Sequence, residues 1–253
     1  MIPAERRKQI LSLLETRHYL SVEELAKTLY VSLPTIRRDL RDLEAEGAIN
    51  RTHGGASWSM GGSYVAPFDL REKSQTNEKS TVAELAAGLI ENNDTLFLSS
   101  GSTTLEFAKH INPDYHLEIL TNGISAARYL SRNPNMNVYC PAGRYMYEHD
   151  GIFGPEVEEA VSRRFAKYGI VSCDGLHMER GIFSTIADME QFLGKAFRKN
   201  CEKLVLLADH TKFNKVYYYR YMEMKDVDII VTDDSPGEEW EEFLESHHIE
   251  LLY

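Results

Sequence analysis

Apolar residues recur at helical spacing in three short segments near the start of the chain, which predicts three helices. The first segment spans residues 5–16. The second begins at Ser21, which has the spacing of a capping box with Glu24, and it ends near Tyr30. The third begins at Ser32, so only a brief connection separates it from the second. Two short helices joined in this way cross steeply, as in a helix-turn-helix.

The third segment places apolar and basic residues on opposite sides of its helix. Its apolar residues have the spacing of one buried face. The other side collects a hydroxyl and three guanidinium groups, mostly near the amino end, which is the end that enters a DNA major groove. Acidic residues in the same helix keep open the alternative of an ordinary solvated face. The inward set is Ile36, Leu40 and Leu43, and the outward set is Thr35, Arg37, Arg38 and Arg41.

A turn with two adjacent glycines follows the third helix. Gly47 is a helix stop, and residues 48–56 indicate two short extended segments around a turn that begins at Gly54. Arg51 and His53 project from these segments. We interpret this region as a wing that contacts the DNA backbone or minor groove.

Basic residues at the start of the first helix extend the candidate DNA surface. Arg6 and Arg7 oppose the dipole of their own helix, so they are better placed to meet phosphates than to stabilise that helix. The predicted DNA-binding residues are Arg6, Arg7, Ser21, Ser32, Thr35, Arg37, Arg38, Arg41, Arg51, His53 and Gly54.

Beyond residue 76 the pattern changes to short apolar runs that alternate with helical segments, the first of them at 77–91. Strands that are continuously apolar and separated by helices form a parallel sheet covered on both faces. The runs are residues 95–98, 117–120, 138–140, 168–171, 204–207 and 229–231. The sequence thus predicts a small, mainly α winged helix-turn-helix domain at 1–57, a linker at 58–76, and an α/β domain at 77–253 with a mostly parallel, Rossmann-like sheet.

Small and polar residues gather at the carboxyl ends of these strands, where ligands of open parallel sheets bind. The run 99–104 leads directly into a helix, and its backbone N–H groups and hydroxyls suit a phosphate. These hydroxyls could instead merely cap the helix. Arg144 and Lys212 can offset the charge of a phosphate. The predicted effector-binding residues are Ser100, Gly101, Ser102, Thr103, Thr104, Thr121, Asn122, Gly143, Arg144, Asp174, Gly175, Asp209 and Lys212.

The net charge of −11 is unevenly distributed along the chain. Residues 1–57 hold 9 of the 28 Lys and Arg and 8 of the 39 Asp and Glu, so they are nearly neutral and the remainder is acidic. Such asymmetry indicates two domains with different partners. It also predicts that nonspecific DNA affinity is modest and sensitive to salt.

Several classes of protein are excluded by pattern. No apolar run approaches the ~18 residues that span a bilayer, and the amino terminus lacks the apolar core of a signal peptide, so we expect a cytoplasmic protein. Cys140, Cys173 and Cys201 are too few and too far apart for a disulfide framework. The histidines have no zinc spacing, and we expect neither a metal nor a cofactor.

A chained set of motifs runs through nearly all of residues 5–56. The motifs are Arg6-Arg7 with Ile10-Leu11, Ser21-Val22-x-x-Leu25-Ala26, Val31-Ser32-x-x-Thr35-Ile36-Arg37-Arg38-Asp39-Leu40-x-x-Leu43-Glu44-x-x-Gly47, and Arg51-x-His53-Gly54-Gly55-Ala56. This set closely resembles the DeoR family of bacterial transcriptional regulators. Residues 68–234 look, more loosely, like the sensor domain of that family, whose fold is similar to ribose-phosphate isomerases and coenzyme A transferases.

The resemblance implies a sequence-specific repressor that binds double-stranded operator DNA and responds to a phosphorylated sugar or related metabolite. Because one winged helix covers little DNA, we expect a homo-oligomer, a dimer or tetramer. Three positions depart from the family pattern. Ser99 stands where the family has Asp, Ala142 replaces the first of two paired glycines, and Gly194 stands where Lys is expected, with Lys195 one place later.

Two other functions compete with a metabolite-controlled regulator. An isomerase-like enzyme with an accessory DNA-binding domain could use Asp174, Asp209, His210 and Lys212 for acid and base chemistry. A constitutive DNA-binding protein with an inactive pocket would fit the departures from the family pattern. The tyrosine-rich stretch 217–221 is interpreted as a loop or edge strand at a subunit interface rather than a stacking platform.

Overall fold

The protein is described by a computed structural model that covers residues 2–17, 19–45, 48–52, 54–58, 68–184 and 189–253. The chain divides into two compact units, residues 1–66 and 67–253, and each has its own apolar core. Among the described helices, none is both long and apolar enough to cross a lipid bilayer.

Three helices form most of the first unit. Helix α1 spans Pro3–Arg17, α2 spans Val22–Leu29 and α3 spans Leu33–Ala45. Each turns its apolar residues toward a shared core, as the helical spacing predicts. The most deeply buried members of this core are Ile10, Leu14, Leu25, Ile36 and Leu40.

Helix α2 has the start that the sequence predicts and an end that redirects the chain. The N–H of Glu24 donates to Oγ of Ser21 at 3.1 Å, and the N–H of Ser21 donates to the carboxylate of Glu24 at 2.8 Å. Tyr30 ends the helix with a φ of 54°, in the left-handed region. The chain thereby turns sharply between α2 and α3, as a helix-turn-helix requires.

A three-stranded antiparallel sheet completes the first unit. Strand β1 spans Tyr19–Ser21, β2 spans Ile49–Thr52 and β3 spans Gly55–Trp58, in the order β1-β3-β2. β2 and β3 are the two extended segments of the predicted wing, and β1 adds a strand that the pattern did not indicate. A Cβ at Gly55 would lie 2.3 Å from the carbonyl oxygen of Leu20, so only glycine lets β1 and β3 approach this closely.

Seven parallel strands form the main sheet of the second unit, which confirms the α/β class. They are β4 (Thr95–Leu98), β5 (Leu117–Thr121), β6 (Met136–Tyr139), β9 (Ala166–Ser172), β12 (Cys201–Leu207), β14 (Ile229–Val231) and β15 (Glu250–Leu252). Their order is β15-β14-β12-β9-β4-β5-β6. The chain therefore runs outward from β4 on one side and then crosses to β9 on the other. Parallel sheets bind ligands at such a switch point.

Five further described strands of the second unit lie outside the main sheet. β7 (Arg144–Met146) pairs with β8 (Gly151–Phe153), and β10 (Gly175–His177), β11 (Gly181–Ser184) and β13 (Tyr219–Met222) form a third sheet in that order. β13 thus stands at an edge of its sheet, and it includes most of the tyrosine-rich stretch. A subunit interface there stays a prediction.

Helices cover both faces of the main sheet. They are α4 (Phe68–Glu72), α5 (Thr76–Ala87), α6 (Ser102–His110), α7 (Ile124–Leu130), α8 (Pro155–Ser162), α9 (Met189–Asn200) and α10 (Glu238–Ser246). Alternate strand residues divide between the faces: Phe97 packs with residues of α8, α9 and α10, whereas Leu96 and Leu98 pack with α5, α6 and α7. Burial on both faces explains why these strands are continuously apolar.

Two details differ from the sequence prediction. Residues 68–72, placed in the linker by their composition, form α4, and Phe68 is buried in the core of the second unit. A seventh strand, β15, follows α10 and pairs with β14. Its alternation is weak because it is an edge strand with only three residues, so the pattern did not indicate it.

Candidate functional site

The outward face of α3 carries the side chains predicted to read DNA. Arg37, Arg38 and Arg41 are exposed and Thr35 is partly exposed, whereas the apolar side of the helix is buried. Oγ of Ser32 and Oγ1 of Thr35 lie 2.8 Å apart and share a hydrogen bond. The arginines are therefore presented together near the amino end of a helix whose opposite side is fixed in the core. A major-groove contact by these residues stays a prediction.

Two carboxylates of α3 are bound to arginines of α1. Nε and Nη2 of Arg6 donate to Asp39 at 2.5 and 3.1 Å, and the two residues are only 8% and 2% exposed. Nη2 of Arg7 donates to Asp42 at 2.7 Å. The hydrogen bond to Asp39 raises the pKa of Arg6. This corrects the predicted phosphate contact of Arg6, because its guanidinium is buried and holds α1 against α3.

The same pairs bear on the two interpretations of α3. A merely solvated face has exposed carboxylates beside the arginines, and among the described residues Glu44 is such a residue. Asp39 instead lies in the interior with its charge offset by Arg6, and Asp42 is engaged by Arg7. The unit is nearly neutral in total, yet its outward α3 surface is basic, which favours the DNA-binding interpretation.

The remaining predicted DNA contacts lie at the wing and at the start of α2. Gly54 is exposed, and its carbonyl accepts a 2.9 Å hydrogen bond from the N–H of Val22. Oγ of Ser21 serves the capping box of α2. The backbone of Arg51 belongs to β2, but its side chain and all of His53 lie outside the described residues.

The second unit contains a cavity of about 610 Å³, counted with its open mouth. It lies beyond the carboxyl ends of β12, β9 and β4, which are adjacent in the sheet, so it occupies the switch point. The structure brings together the following predicted effector residues in its wall: Ser100, Gly101, Ser102, Thr103, Asp174, Asp209 and Lys212.

The loop before α6 forms one side of the cavity. Gly101 has a φ of 144°, and a Cβ there would lie 2.9 Å from Oγ of Ser172. The side chain of Asn122 accepts a 2.8 Å hydrogen bond from the N–H of Ser100 and donates one of 3.0 Å to the carbonyl of Ile152. The loop is thus held open at the start of a nine-residue helix, an arrangement that presents backbone N–H groups and a positive dipole end to an anion.

Other predicted effector residues do not line the cavity. Oγ1 of Thr104 donates to the carbonyl of Gly101, and Oγ1 of Thr121 accepts from the N–H of Gly123, so both hydroxyls are used inside the fold. Arg144 is exposed on β7, away from the cavity lining. Asn122, Gly143 and Gly175 are likewise absent from that lining and serve the backbone geometry around it.

Lys212 lies among carboxylates on the opposite side of the cavity. Its Nζ is 3.9 Å from Asp209, whose carboxylate also accepts the N–H of Thr211 at 3.1 Å. Burial opposes the charge on Lys212, but Asp209 and Asp174 together raise its pKa. Lys212 therefore stays a cation at neutral pH and can bind an anion. His210 pairs instead with Asp233, and it is not part of the cavity lining.

Sequence reasoning missed a further set of cavity residues. The α4–α5 connection contributes several of them, and the third sheet and β9 contribute others. One signal was present: Lys79 has the spacing of the buried face of α5, which includes Val82, Ala83 and Ala86. The missed residues are Arg71, Ser74, Gln75, Lys79, His149, Ser172, Cys173 and Ser184.

Three of these residues have strongly shifted pKa values. In Cys173, burial raises the pKa of the thiol far above its ordinary value. Burial, together with the nearby charge of Lys212, lowers the pKa of Lys79 to about 8. Burial and the charge of Arg71 lower the pKa of His149 to about 4, so His149 is neutral at physiological pH. Among the described residues, no group of three or more His, Cys, Asp or Glu could hold a metal ion. The described cavity wall thus combines the cationic side chains of Arg71, Lys79 and Lys212 with the carboxylates of Asp174 and Asp209, and an anion site there stays a prediction.

Comparison with known families decides which family this chain belongs to. The model of the DeoR-like helix-turn-helix domain matches residues 6–59, and the model of the DeoR C-terminal sensor domain matches residues 74–234. The chain belongs to the DeoR family. It is a regulator with a helix-turn-helix domain and a sensor domain.

Named relatives of this DeoR-family protein are transcriptional regulators. It is 32% identical to the repressor CsqR of Escherichia coli over 98% of this chain and 94% of that one, and 31% identical to the repressor GlcR of Bacillus subtilis over 100% and 96%. It is also 30% identical to the glycerol-3-phosphate regulon repressor of Escherichia coli over 99% of both chains.

Solved structures are similar in fold alone. eIF2B beta from Chaetomium thermophilum has a TM-score of 0.50 and 12% identity, with 97% of this chain and 69% of that chain covered. Ribose 5-phosphate isomerase from Methanocaldococcus jannaschii has a TM-score of 0.41 and 13% identity, with 55% of each chain covered.

The structure shows the surroundings of two residues, Ser99 and Gly194, at which the sequence departs from the DeoR-family pattern. Ser99 is buried and its hydroxyl donates to the carbonyl of Ser100, so it takes no part in the cavity lining. Gly194 is buried in α9 against β13, where a Cβ would lie 2.8 Å from Sδ of Met222 and 2.9 Å from the ring of Tyr221. Lys195, the next residue, is exposed. No lysine can therefore occupy position 194 unless β13 or its side chains shift.

Proposed function

We propose that this DeoR-family protein is an operator-binding transcriptional repressor whose cavity senses a phosphorylated sugar or a similar anionic metabolite. The protein acts in the cytoplasm on chromosomal DNA, as a homo-oligomer, and does not convert its effector. Binding of the effector shifts the population between forms that bind the operator and forms that do not.

The basic face of α3 carries the DNA-binding half of the proposal. Three exposed arginines stand together, while the neighbouring carboxylates of Asp39 and Asp42 are engaged by α1. Thr35, Arg37 and Arg38 are the residues that we expect to contact base edges. One winged helix reads few base pairs, so tight binding needs two or more copies on repeated half-sites. The names of the relatives, which are repressors, support repression as the sign of control.

The cavity carries the sensing half of the proposal. It joins the amino-terminal loop of α6 to a cationic lysine, Lys212, which is a suitable arrangement for a phosphate group. Asp174 and Asp209 can accept hydrogen bonds from hydroxyls on the rest of the same molecule. One relative is named the glycerol-3-phosphate regulon repressor, and glycerol 3-phosphate is a phosphate ester of a polyol, which supports this ligand class.

Selection from a randomised duplex library tests the DNA-binding half. The wild-type chain should enrich one sequence, and Arg38→Ala should weaken binding to that sequence by ~1–3 kcal/mol and relax preference at one base position. Lys203→Ala is the matched control, because Lys203 is an exposed cation of β12 in the other unit and its loss should leave operator binding unchanged. Failure to enrich any sequence would reject a sequence-specific regulator.

Two measurements on one panel of sugar phosphates test the sensing half against the enzyme alternative. The competing hypothesis is an isomerase that uses Asp174, Asp209 and Lys212, which line the same cavity. A regulator predicts a ligand that raises the melting temperature and changes operator affinity without being converted. Conversion of that ligand at ordinary enzymatic rates would favour the enzyme instead. A panel with no effect on melting or operator binding would favour a constitutive DNA-binding protein.

A further inference from the structure

Lys79 is a buried ammonium in the wall of the cavity. It is only 5% exposed, and it comes from α5 rather than from a strand end. Its Nζ donates to the carbonyl oxygen of Ser74 at 2.7 Å and to the carbonyl oxygen of Arg71. Among the described residues, no carboxylate lies within ion-pair distance of this ammonium. One acceptor lies at the end of α4 and the other in the turn between α4 and α5, so Lys79 holds this part of the chain against α5.

Arg71 places a second cation on the same side. It lies on α4, lines the cavity, and donates from Nη2 to the carbonyl of Glu148 at 3.0 Å. The loop before α6 and Lys212 form the other sides. Two cations from the α4–α5 segment, Arg71 and Lys79, therefore line the cavity together with the residues of the strand ends.

The charges around Lys79 explain why an anion would bind there. Burial removes most of the hydration of its ammonium, Lys212 and Arg71 repel it, and Asp209 and Glu106 attract it. A buried charge held mainly by neutral carbonyls is poorly compensated. A phosphate dianion in the cavity would supply the missing counter-charge and accept charge-assisted hydrogen bonds from both Lys79 and Arg71.

We propose that Lys79 and Arg71 form the second side of the anion site, and that a bound phosphate group competes with the α4–α5 carbonyls for the Lys79 ammonium. This inference rests on the sensing function proposed above and assigns its chemistry to two further residues. When the ammonium of Lys79 donates its hydrogen bonds to phosphate instead, the carbonyls of Arg71 and Ser74 lose their donor and the turn between α4 and α5 becomes less constrained.

The location of this turn gives the exchange a consequence for DNA binding. α4 begins at Phe68, close to the boundary between the two units, which falls after residue 66. It is therefore the described helix of the sensor unit that is nearest along the chain to the DNA-binding unit, and its residue Arg71 also lines the ligand site. A change of hydrogen bonding at the carbonyl of Arg71 acts on this helix.

Titration of inorganic phosphate and ribose 5-phosphate into Lys79→Met and Arg71→Gln variants tests the proposal. In the full chain, each variant should lose about tenfold or more in affinity for both probes, as expected when a charge-assisted hydrogen bond is removed. Lys79→Met should also retain operator binding at probe concentrations that release the wild type. Lys73→Met is the matched control: Lys73 lies in the same turn, but it is exposed and does not line the cavity. It should behave as the wild type does.

The outcomes separate this inference from the sensing function itself. If the wild type responds to ribose 5-phosphate and both variants respond with equal affinity, the inference is overturned and the sensing function stands. If the wild type responds to neither probe, both are overturned for the phosphate class. Lys79→Arg guards against misfolding, because it keeps the charge and should retain most of the phosphate affinity that Lys79→Met loses.

Discussion

The two units treat a buried cation in opposite ways. In the first unit, Arg6 and Asp39 form an ion pair with two hydrogen bonds between α1 and α3, so each buried charge has an opposite charge beside it. In the second, Lys79 is buried against the carbonyls of Arg71 and Ser74 beside an open cavity. The first arrangement fixes the relative positions of two helices. The arrangement in the second unit leaves the positive charge of Lys79 without a close counter-charge among the described residues, so an anionic ligand can supply one.

The largest loss of stability is expected when the buried ion pair between Arg6 and Asp39 is broken. Arg6→Met removes both hydrogen bonds from the buried carboxylate of Asp39 and leaves it only the longer contact of 3.8 Å with Nε of Arg7. Breaking a buried ion pair in this way destabilises a protein by roughly 3–5 kcal/mol. Scanning calorimetry of the full chain should show a lower unfolding temperature for the DNA-binding unit and an unchanged transition for the sensor unit. Equal shifts in both transitions would contradict this assignment.

Two further variants sharpen the same test. Arg6→Met combined with Asp39→Asn removes both charges and should recover much of the lost stability, since a neutral buried pair avoids the charge penalty. Arg7→Met breaks a pair that is only partly buried, with the side chains of Arg7 and Asp42 29% and 37% exposed, together with a long contact of 3.8 Å to Asp39. Its cost should therefore be the smaller one, within about 1 kcal/mol. If Arg7→Met costs as much as Arg6→Met, burial is not the reason for the difference.

The first unit was largely predictable because its signals are local. The capping box of Ser21 and Glu24, the spacing of Ile36 and Leu40, and the glycine turn of the wing each lie within a few residues. The pairing of Arg6 with Asp39 was not predictable, because it joins residues 33 positions apart and a charged side chain on a helix is usually solvated.

In the second unit, the strand ends were predictable and the far wall of the cavity was not. The rule that ligands bind beyond the carboxyl ends of parallel strands led to Ser100, Asp209 and Lys212. This rule says nothing about residues on the helices before the first strand of the sheet. The sequence therefore offered no reason to place Arg71 in the site, and the prediction assigned it to the linker. The burial of Lys79 was visible as a cation at an apolar position of α5, although that pattern alone does not show which cavity it meets.

A smaller effect is expected from adding a side chain at Gly194, where the family pattern has Lys. Gly194→Ala should destabilise the sensor unit by about 1 kcal/mol, because overpacking costs ~1–3 kcal/mol and the better helix propensity of alanine returns up to ~1. Thermal unfolding measures the change. Lys195→Ala, at the exposed neighbouring position, should stay within ±0.5 kcal/mol, as surface substitutions usually do. A stabilising Gly194→Ala would mean that Met222 and Tyr221 yield without cost.

The pH dependence of phosphate binding tests whether the charge of the Lys79 ammonium contributes to the anion site. The pKa of Lys79 is lowered to about 8 in the free protein, and a bound dianion would raise it, so binding above pH 8 must take up a proton. Phosphate is already largely a dianion above pH 7, and the neutral His149, with a pKa of about 4, does not titrate in this range. Affinity should therefore be highest near pH 7 and fall by up to about tenfold per unit above pH 8. Calorimetric titration at pH 7, 8 and 9 measures this, and Lys79→Met should abolish the slope. A wild-type affinity that does not change between pH 7 and 9 would show that the charge of Lys79 is not part of the anion site.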